Sequence, residues 1–350
     1  MTEGESEVAT RVVQWQQLHG RSHLPWQQTQ DPYRVWLSEI MLQQTQVGTV
    51  LDYYARFLER FPDVRSLANA SQDEVLALWS GLGYYSRARN LHRCAQQVVA
   101  EHGGSFPASA KALAMLPGIG RSTAGAIAAF CFAESVPILD ANVRRVLTRF
   151  LGFGGDLASA ANERRLWELA SALLPQSDLS HSMPRYTQGM MDLGAMVCLP
   201  RKPLCQQCPL SAGCKAFQDG APESYPVRTR KLTRKSESWW LLIILDPSGR
   251  IWLHRRPSRG IWAGLHCPPV FLQRQALSDR IPSATASDIV EVPSFLHVLT
   301  HRDLHLHPVL VRWGSHMWYS DLDGEWFERA QWSQLGLPAP VRKLLDAVDV

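Results

Sequence analysis

The sequence predicts a mostly α N-terminal part followed by a smaller α+β C-terminal part. Three observations predict it. Apolar residues recur at helical spacing up to about Ala216. Four cysteines, Cys198, Cys205, Cys208 and Cys214, close that stretch with the spacing C-x6-C-x2-C-x5-C. Beyond a basic segment at 221–235, short alternating runs bounded by turn residues replace the helical period.

Residues 7–18 carry the helical pattern through Val8, Val12, Trp15 and Leu18. Asp31-Pro32 reads as an N-cap with proline at the first helical position. The period returns at 50–61, 72–79 and 86–100. Gly103-Gly104 and Pro107 then punctuate the chain before 110–115. Further helices are expected at 122–132, from Asp140 through Phe150, at 163–174 and at 184–195. The segment 221–235 holds two prolines and a run of basic residues, as a linker does. A strand is expected at 239–245, a turn at Asp246-Pro247-Ser248-Gly249, and strands at 250–254 and 304–311.

With 350 residues, 45% apolar, the chain can fill two or three packed domains. Its net charge of +4 is mild. Locally, eight Lys/Arg face only Asp219 and Glu223 between Arg201 and Lys235, a footprint suited to nucleic acid. The acidic N-terminus lacks the apolar stretch of a signal peptide. The longest apolar runs, 124–133 and 239–245, are too short to span a bilayer. A cytoplasmic, DNA-associated monomer is expected. Cys94, Cys131 and Cys267 read as small buried hydrophobes.

Four cysteines so close can ligate one metal centre, either a [4Fe–4S] cluster or a zinc ion. Two disulfides are the alternative, disfavoured in a chain without secretory marks. The basic loop around them, with Arg201 and Lys202, suits a nucleic-acid reader. Leu116-Pro117-Gly118-Ile119-Gly120 lies between two helical stretches, so its backbone N–H groups and the following helix start can hold a phosphate. An ordinary interhelical turn is the plainer reading. Glu39 has Val35 and Leu42 at i−4 and i+3, and apolar flanks raise a carboxyl pKa. That suits a general acid, although a glutamate at the edge of an amphipathic face is the commoner case. Asp140 precedes a helical run and reads as its N-cap.

Leu-Pro-Gly-Ile-Gly, an aspartate twenty residues on and the cysteine spacing together resemble the helix-hairpin-helix DNA glycosylase superfamily. Within it, Trp36-Leu37-Ser38-Glu39-Ile40-Met41-Leu42-Gln43-Gln44-Thr45 and Gly81-Leu82-Gly83-Tyr84-Tyr85 closely resemble MutY-type adenine DNA glycosylases. The likeness is strong over 8–216 and weaker beyond. It implies a helix-hairpin-helix glycosylase with a [4Fe–4S] loop, then a Nudix-like domain. It divides the chain into a cluster-bearing helical domain (1–24 and 135–220), a six-helix domain with the hairpin (25–134), a linker (221–235) and an 8-oxoguanine recognition domain (236–350).

The resemblance also assigns roles. Glu39 would protonate adenine at N7, and Asp140 would stabilise the oxocarbenium-like sugar, much as paired carboxylates do in glycoside hydrolysis. Asn142 would lie near that sugar. Gln44 and Tyr84 would enter the duplex beside the flipped base. Leu116, Gly118, Gly120 and Ser122 would meet the DNA backbone, as would Arg201 and Lys202. Cys198, Cys205, Cys208 and Cys214 would hold the [4Fe–4S] cluster. The implied partner is double-stranded DNA with adenine opposite 8-oxoguanine or guanine.

Ser122 stands where the related endonuclease III type has a lysine nucleophile, and a hydroxyl forms no Schiff base. Arg144, always protonated, offers no substitute. A monofunctional enzyme is expected. The C-terminal likeness rests on Trp252-Leu253-His254-Arg255-Arg256-Pro257 and Gly260-Ile261-Trp262-Ala263-Gly264-Leu265. Residues 271–285 lack the glutamates that hold Mg²⁺ in a working Nudix hydrolase. His297-Val298-Leu299-Thr300-His301 aligns with the family's His-x-Phe-Ser-His segment, so Thr300 and His301 would contact the opposing 8-oxoguanine. Leu299 replaces the aromatic ring there. An oxidised-pyrimidine enzyme, a non-catalytic DNA-binding protein and a nucleotide pyrophosphatase are the competing readings.

Overall fold

A computed structural model describes residues 3–229, 233–281, 289–312 and 323–347. Several regions read above reach beyond them: the N-terminal domain at 1–2, the linker at 230–232, the glutamate-poor segment at 282–285 and the recognition domain at 282–288, 313–322 and 348–350. Contacts divide the chain into two compact units. One comprises Met1–Tyr54, Phe61–Ala68 and Arg93–Lys231; the other comprises Ala55–Arg60, Asn69–His92 and Leu232–Val350.

The helical periods become α1 (Glu3–His19), α2 (Pro32–Leu42), α3 (Val47–Arg60), α4 (Val64–Asn69), α5 (Gln72–Leu78) and α6 (Ser86–His102). Then come α7 (Ala110–Leu113), α8 (Arg121–Phe132), α9 (Ala141–Leu151), α10 (Ala160–Ala172), α11 (Leu179–Met196) and α12 (Lys215–Gln218). Caps set several starts. Asp31 accepts from Tyr33 N and Pro32 sits in the first turn of α2. Ser71 and Glu74 form a capping box on α5. One start differs from expectation. α11 begins at Leu179, so Pro184 lies inside the helix rather than at its head. Pro184 removes one N–H, and the Ser180 carbonyl that would accept it belongs to an exposed residue, where water can serve it.

Within the first unit, α8 packs on α2 and α11, and α11 packs on α1 and α9. Val12, Ile138, Val143, Leu166, Met183 and Leu193 form part of one buried core there. Gly125 lets α8 approach the carbonyl of Pro137, where a Cβ would stand 2.7 Å from that oxygen. Gly194 likewise lets α11 meet α9 at Asn142. Both close approaches fix the segment that carries Asp140.

Among the described residues, the second unit is built on a sheet of eight strands. They are β1 (Lys235–Leu245), β2 (Ile251–Arg255), β3 (His266–Cys267), β4 (Val270–Phe271), β5 (Ile289–Glu291), β6 (Phe295–Val298), β7 (Arg302–Arg312) and β8 (Glu325–Phe327). The main order is β3-β2-β1-β7-β5. β1 and β7 run parallel from Lys235↔Arg302 to Leu245↔Arg312, at the centre of the sheet. A parallel central pair is covered on both faces, which explains the unbroken apolar run at 239–245. Short helices α13 (Arg274–Ser278) and α14 (Arg329–Trp332) and the longer α15 (Ala339–Ala347) complete it. No helix among the described residues is long and apolar enough to cross a membrane.

Candidate active site

α2 carries Glu39 beside a mainly apolar face in which Val35, Trp36, Ile40 and Met41 are buried. Glu39 lines a cavity of about 340 Å³ with Trp26, Gln27, Val35, Phe130 and Gln188 among its walls. Burial, reinforced by the nearby negative charge of Asp140, pushes its pKa up to about 8. The apolar flank read from the sequence therefore faces a cavity and not bulk water.

Asp140 caps α9, accepting from Val143 N at 2.7 Å. Burial raises its pKa, while the Val143 N–H, Arg145, the Asn142 N–H and Arg144 all favour its charge. Glu39 has no such helpers. Of the two carboxyls, Glu39 is therefore the one held more strongly in its neutral form. Helix α8 braces both. Gln43, one residue past α2, donates to Thr123 Oγ1 (3.3 Å), and Ser122 Oγ accepts from Leu139 N (3.0 Å). Ser122 is therefore engaged in holding the loop before Asp140.

Asn142 follows in the first turn of α9. Its Oδ1 accepts from Arg145 Nη2 at 2.8 Å, and Arg145 also donates to the carbonyls of Gly194 (2.6 Å) and Cys198 (2.7 Å). Two turns past Asp140, Arg149 is 2% exposed. It donates to the carbonyls of Leu199 (2.6 Å) and Pro200 (3.0 Å) and to Cys198 Sγ (3.3 Å). One helix thus runs from the carboxylate to the cysteine loop. The sequence reading missed both arginines, because nothing in their spacing separates them from surface cations.

All seven cysteines stand as free thiols. Cys94 and Cys267 are buried as expected, and Cys131 is half-buried. Cys198, Cys205, Cys208 and Cys214 are near enough to repel one another if ionised; burial first, then its neighbours, push Cys208 up to about 12. Among the described residues, no three His, Cys, Asp or Glu side chains are gathered around a point that would hold one metal ion. Arg201 and Lys202 stand exposed in the loop between the first two cysteines.

The hairpin forms between α7 and α8. Ile119 N donates to the Leu116 carbonyl (3.2 Å), and Gly118 takes a φ of +76°, a conformation that favours glycine. The Leu116 side chain is buried, so that residue offers only its backbone. Gly120 is the N-cap of α8 and caps with no side chain, which leaves first-turn N–H groups free of one. A Cβ there would meet nothing within 4 Å, so the fold itself does not require glycine at that position.

Gln44 and Tyr84 are exposed and adopt positive φ values of 59° and 48°. Lys202 does too, at 48°. Left-handed backbone at non-glycine residues is costly and clusters at functional sites. The sequence could not show this strain. In the second unit, Tyr84 hydroxyl is hydrogen-bonded to Thr300 Oγ1, and Arg87 lies over the Tyr84 ring at 5.5 Å. Tyr84, Trp262, His297, Thr300 and His301 line a cavity of about 460 Å³. His305 and His307 lie on β7, as expected for a strand.

Comparison with known proteins agrees with this arrangement. Residues 37–172 match the HhH-GPD superfamily of base excision DNA repair proteins, and residues 240–347 match the NUDIX domain. An adenine DNA glycosylase of Buchnera aphidicola from Acyrthosiphon pisum is 37% identical over 96% of this chain and 95% of its own. The adenine DNA glycosylase of Mus musculus is 48% identical over 53% of this chain and 36% of its own. Among solved structures, a thermostable thymine-DNA glycosylase superposes with a TM-score of 0.54 at 28% identity, over 62% of this chain and 98% of that one. The two-part match over nearly the full length of the Buchnera relative decides the matter: the chain belongs to the adenine DNA glycosylase family.

Proposed function

We propose that this protein removes adenine from double-stranded DNA where it is mispaired with 8-oxoguanine or guanine. The single observation that carries the reading is Glu39, its pKa pushed up to about 8 by burial and by Asp140, on the wall of a cavity roomy enough for a purine. The adenine nucleotide leaves the stack and its base enters that cavity. Glu39 gives its proton to N7. The C1′–N9 bond breaks with its electron pair passing to the base, which departs neutral. Asp140 opposes the positive charge left on the sugar, with Asn142 beside it. Water adds to C1′ and its spare proton returns to a carboxylate. Ser122 offers no amine, so the product is an intact abasic site.

DNA would be held by the hairpin at Leu116, Gly118, Gly120 and Ser122, by Gln44 and Tyr84 at the lesion, and by Arg201 and Lys202 on the backbone. Residues 236–350, with Thr300 and His301, would read the opposing 8-oxoguanine. Residues 1–24 and 135–220 would form the cluster-bearing domain, 25–134 the hairpin domain and 221–235 the linker. The protein would act as a monomer.

The four cysteines suit a [4Fe–4S] cluster. Their thiolates would supply its ligands. The buried Arg149 guanidinium, surrounded by carbonyls and the Cys198 sulfur, is the cation such an anionic group calls for. Bound there, the cluster would staple the Arg201–Lys202 loop, and base hydrolysis asks no electron of it. Cys198→Ser is accordingly expected to weaken duplex binding and lower its salt slope by about 1–2, while the single-turnover rate at saturating protein stays unchanged. Wild-type affinity in a cluster-free variant would refute this.

The activity is tested with duplexes holding adenine opposite 8-oxoguanine, or thymine glycol opposite adenine, and with nucleoside triphosphates. Adenine should leave the first duplex alone, with strand breaks appearing mainly after hot alkali. Breaks before alkali would overturn the monofunctional reading, and retention of adenine would overturn the activity.

A further inference from the structure

One acidic residue stands where the chemistry above has no use for it. Between Arg201 and Lys235, Glu223 and Asp219 are the only carboxylates among eight Lys/Arg. Beside a loop that meets phosphates, a negative charge by itself weakens binding. Glu223 is nonetheless aimed at that loop. Its Oε1 accepts from Lys202 N at 2.9 Å, across 21 residues of chain.

Lys202 is the loop residue whose backbone needs such a partner. Its φ of 48° is left-handed, a conformation that is costly for any residue with a Cβ. A carboxylate on its N–H makes a charge-assisted bond, the stronger kind, and holds the chain in that turn. The segment that carries Glu223 is itself fixed. It forms the short 3-10 turn Pro222–Ser224, closed by Ser224 N on the Ala221 carbonyl (3.1 Å) and Tyr225 N on the Pro222 carbonyl (3.3 Å). Arg149, which holds the carbonyls of Leu199 and Pro200, also donates from Nε to the Tyr225 carbonyl at 3.3 Å. Further on, Thr229 N donates to Asp156 Oδ2 at 3.2 Å. Residues 223–229 thus have the composition of a linker, but they are tied down within the first unit. One buried guanidinium joins them to the cysteine loop.

We infer that Glu223 is a positioning residue for DNA binding. It fixes the turn at Lys202, and with it the direction in which Arg201 and Lys202 present their charges to a duplex backbone. The inference rests on the backbone contact proposed above for those two residues. Both side chains are exposed. Long exposed cations lose freedom when they bind, so the protein's means of preorganising them is the backbone from which they leave. Residues 223–229 act as a strap on that backbone. The acid therefore strengthens binding, against the sign of its own charge.

That opposition of sign supplies the test. Affinity for a duplex with adenine opposite 8-oxoguanine is measured over a range of salt for the wild type, Glu223→Ala and Glu223→Gln. Charge alone would make both variants bind more tightly. Positioning separates them. Glu223→Ala should bind about 3- to 10-fold more weakly, the loss of one hydrogen bond on an exposed segment, with a salt slope smaller by about 1. Glu223→Gln keeps a carbonyl acceptor without the charge and should bind at least as tightly as the wild type. With Lys202→Ala already in place, the Glu223→Ala penalty in binding free energy should shrink to less than about half. Equal or tighter binding by Glu223→Ala, or a full penalty in the Lys202→Ala background, would overturn the inference. A wild type that does not bind the duplex, or a Lys202→Ala variant that binds like the wild type, would sink the proposed backbone contact first. Weak binding by Lys202→Ala beside an unaffected Glu223→Ala sinks this inference alone.

Discussion

Glu39→Gln is expected to reduce base release by about 10²- to 10⁴-fold, the range of general acid catalysis, while duplex affinity is unchanged. The substitution keeps the size and one acceptor but removes the transferable proton. Single-turnover release and a binding titration on the same mispaired duplex separate the two effects, and a variant with near wild-type release would end the general-acid role. A pH profile adds an independent check. With Glu39 poised at about 8, release should be limited above that pH, falling about tenfold per unit.

Stability should also fall with rising pH. The folded protein holds the Glu39 proton between the ordinary carboxyl value of 4.5 and about 8, where the unfolded chain has lost it. The native state then binds more protons, so stability falls as pH rises through that window. Glu39→Gln has no such term. Its melting temperature should match wild type near pH 4 and exceed it at pH 8. Parallel curves across that range would mean that Glu39 is solvated.

Asp140→Asn is expected to reduce release by about 10²- to 10³-fold, the scale of losing one electrostatic stabiliser of a charged transition state, at little cost in stability. Asparagine caps a helix as well as aspartate does, so the bond from Val143 N to residue 140 survives. The charge facing the sugar does not. Asp140→Ala should lose the cap as well, for about 0.5–2 kcal/mol. The asparagine variant has a second signature. Asp140's charge helps raise Glu39, so its removal should shift the alkaline fall in rate to lower pH. Wild-type release by Asp140→Asn would reduce Asp140 to a cap.

Much of the fold was legible because its signals are local. Asp31-Pro32 and Asp140 announce helix starts through side-chain and ring geometry that act within a few residues, and both caps formed. Pro184 misled because a helix needs only one carbonyl to forgo its partner there, and that carbonyl belongs to an exposed residue. The strands were legible by alternation, but the parallel pairing of β1 with β7 was not. Pairing across sixty-odd residues depends on which faces must be covered, and no local pattern records that.

For the site, sequence supplied the residue types. Glu39 between apolar neighbours, an aspartate before a helix and four spaced cysteines could all be read along the chain, and with them the family. Tertiary structure decided what surrounds them. Packing sets the Glu39 pKa, since burial and a second carboxylate brought from a hundred residues away are properties of space. The bond from Lys202 N to Glu223, the buried Arg149 against Cys198 and the left-handed backbone at Gln44 and Tyr84 were likewise silent in the sequence. Desolvation, hydrogen-bond completion and backbone strain arise only when distant segments pack, so residue order names the chemical groups and packing assigns their charge and direction.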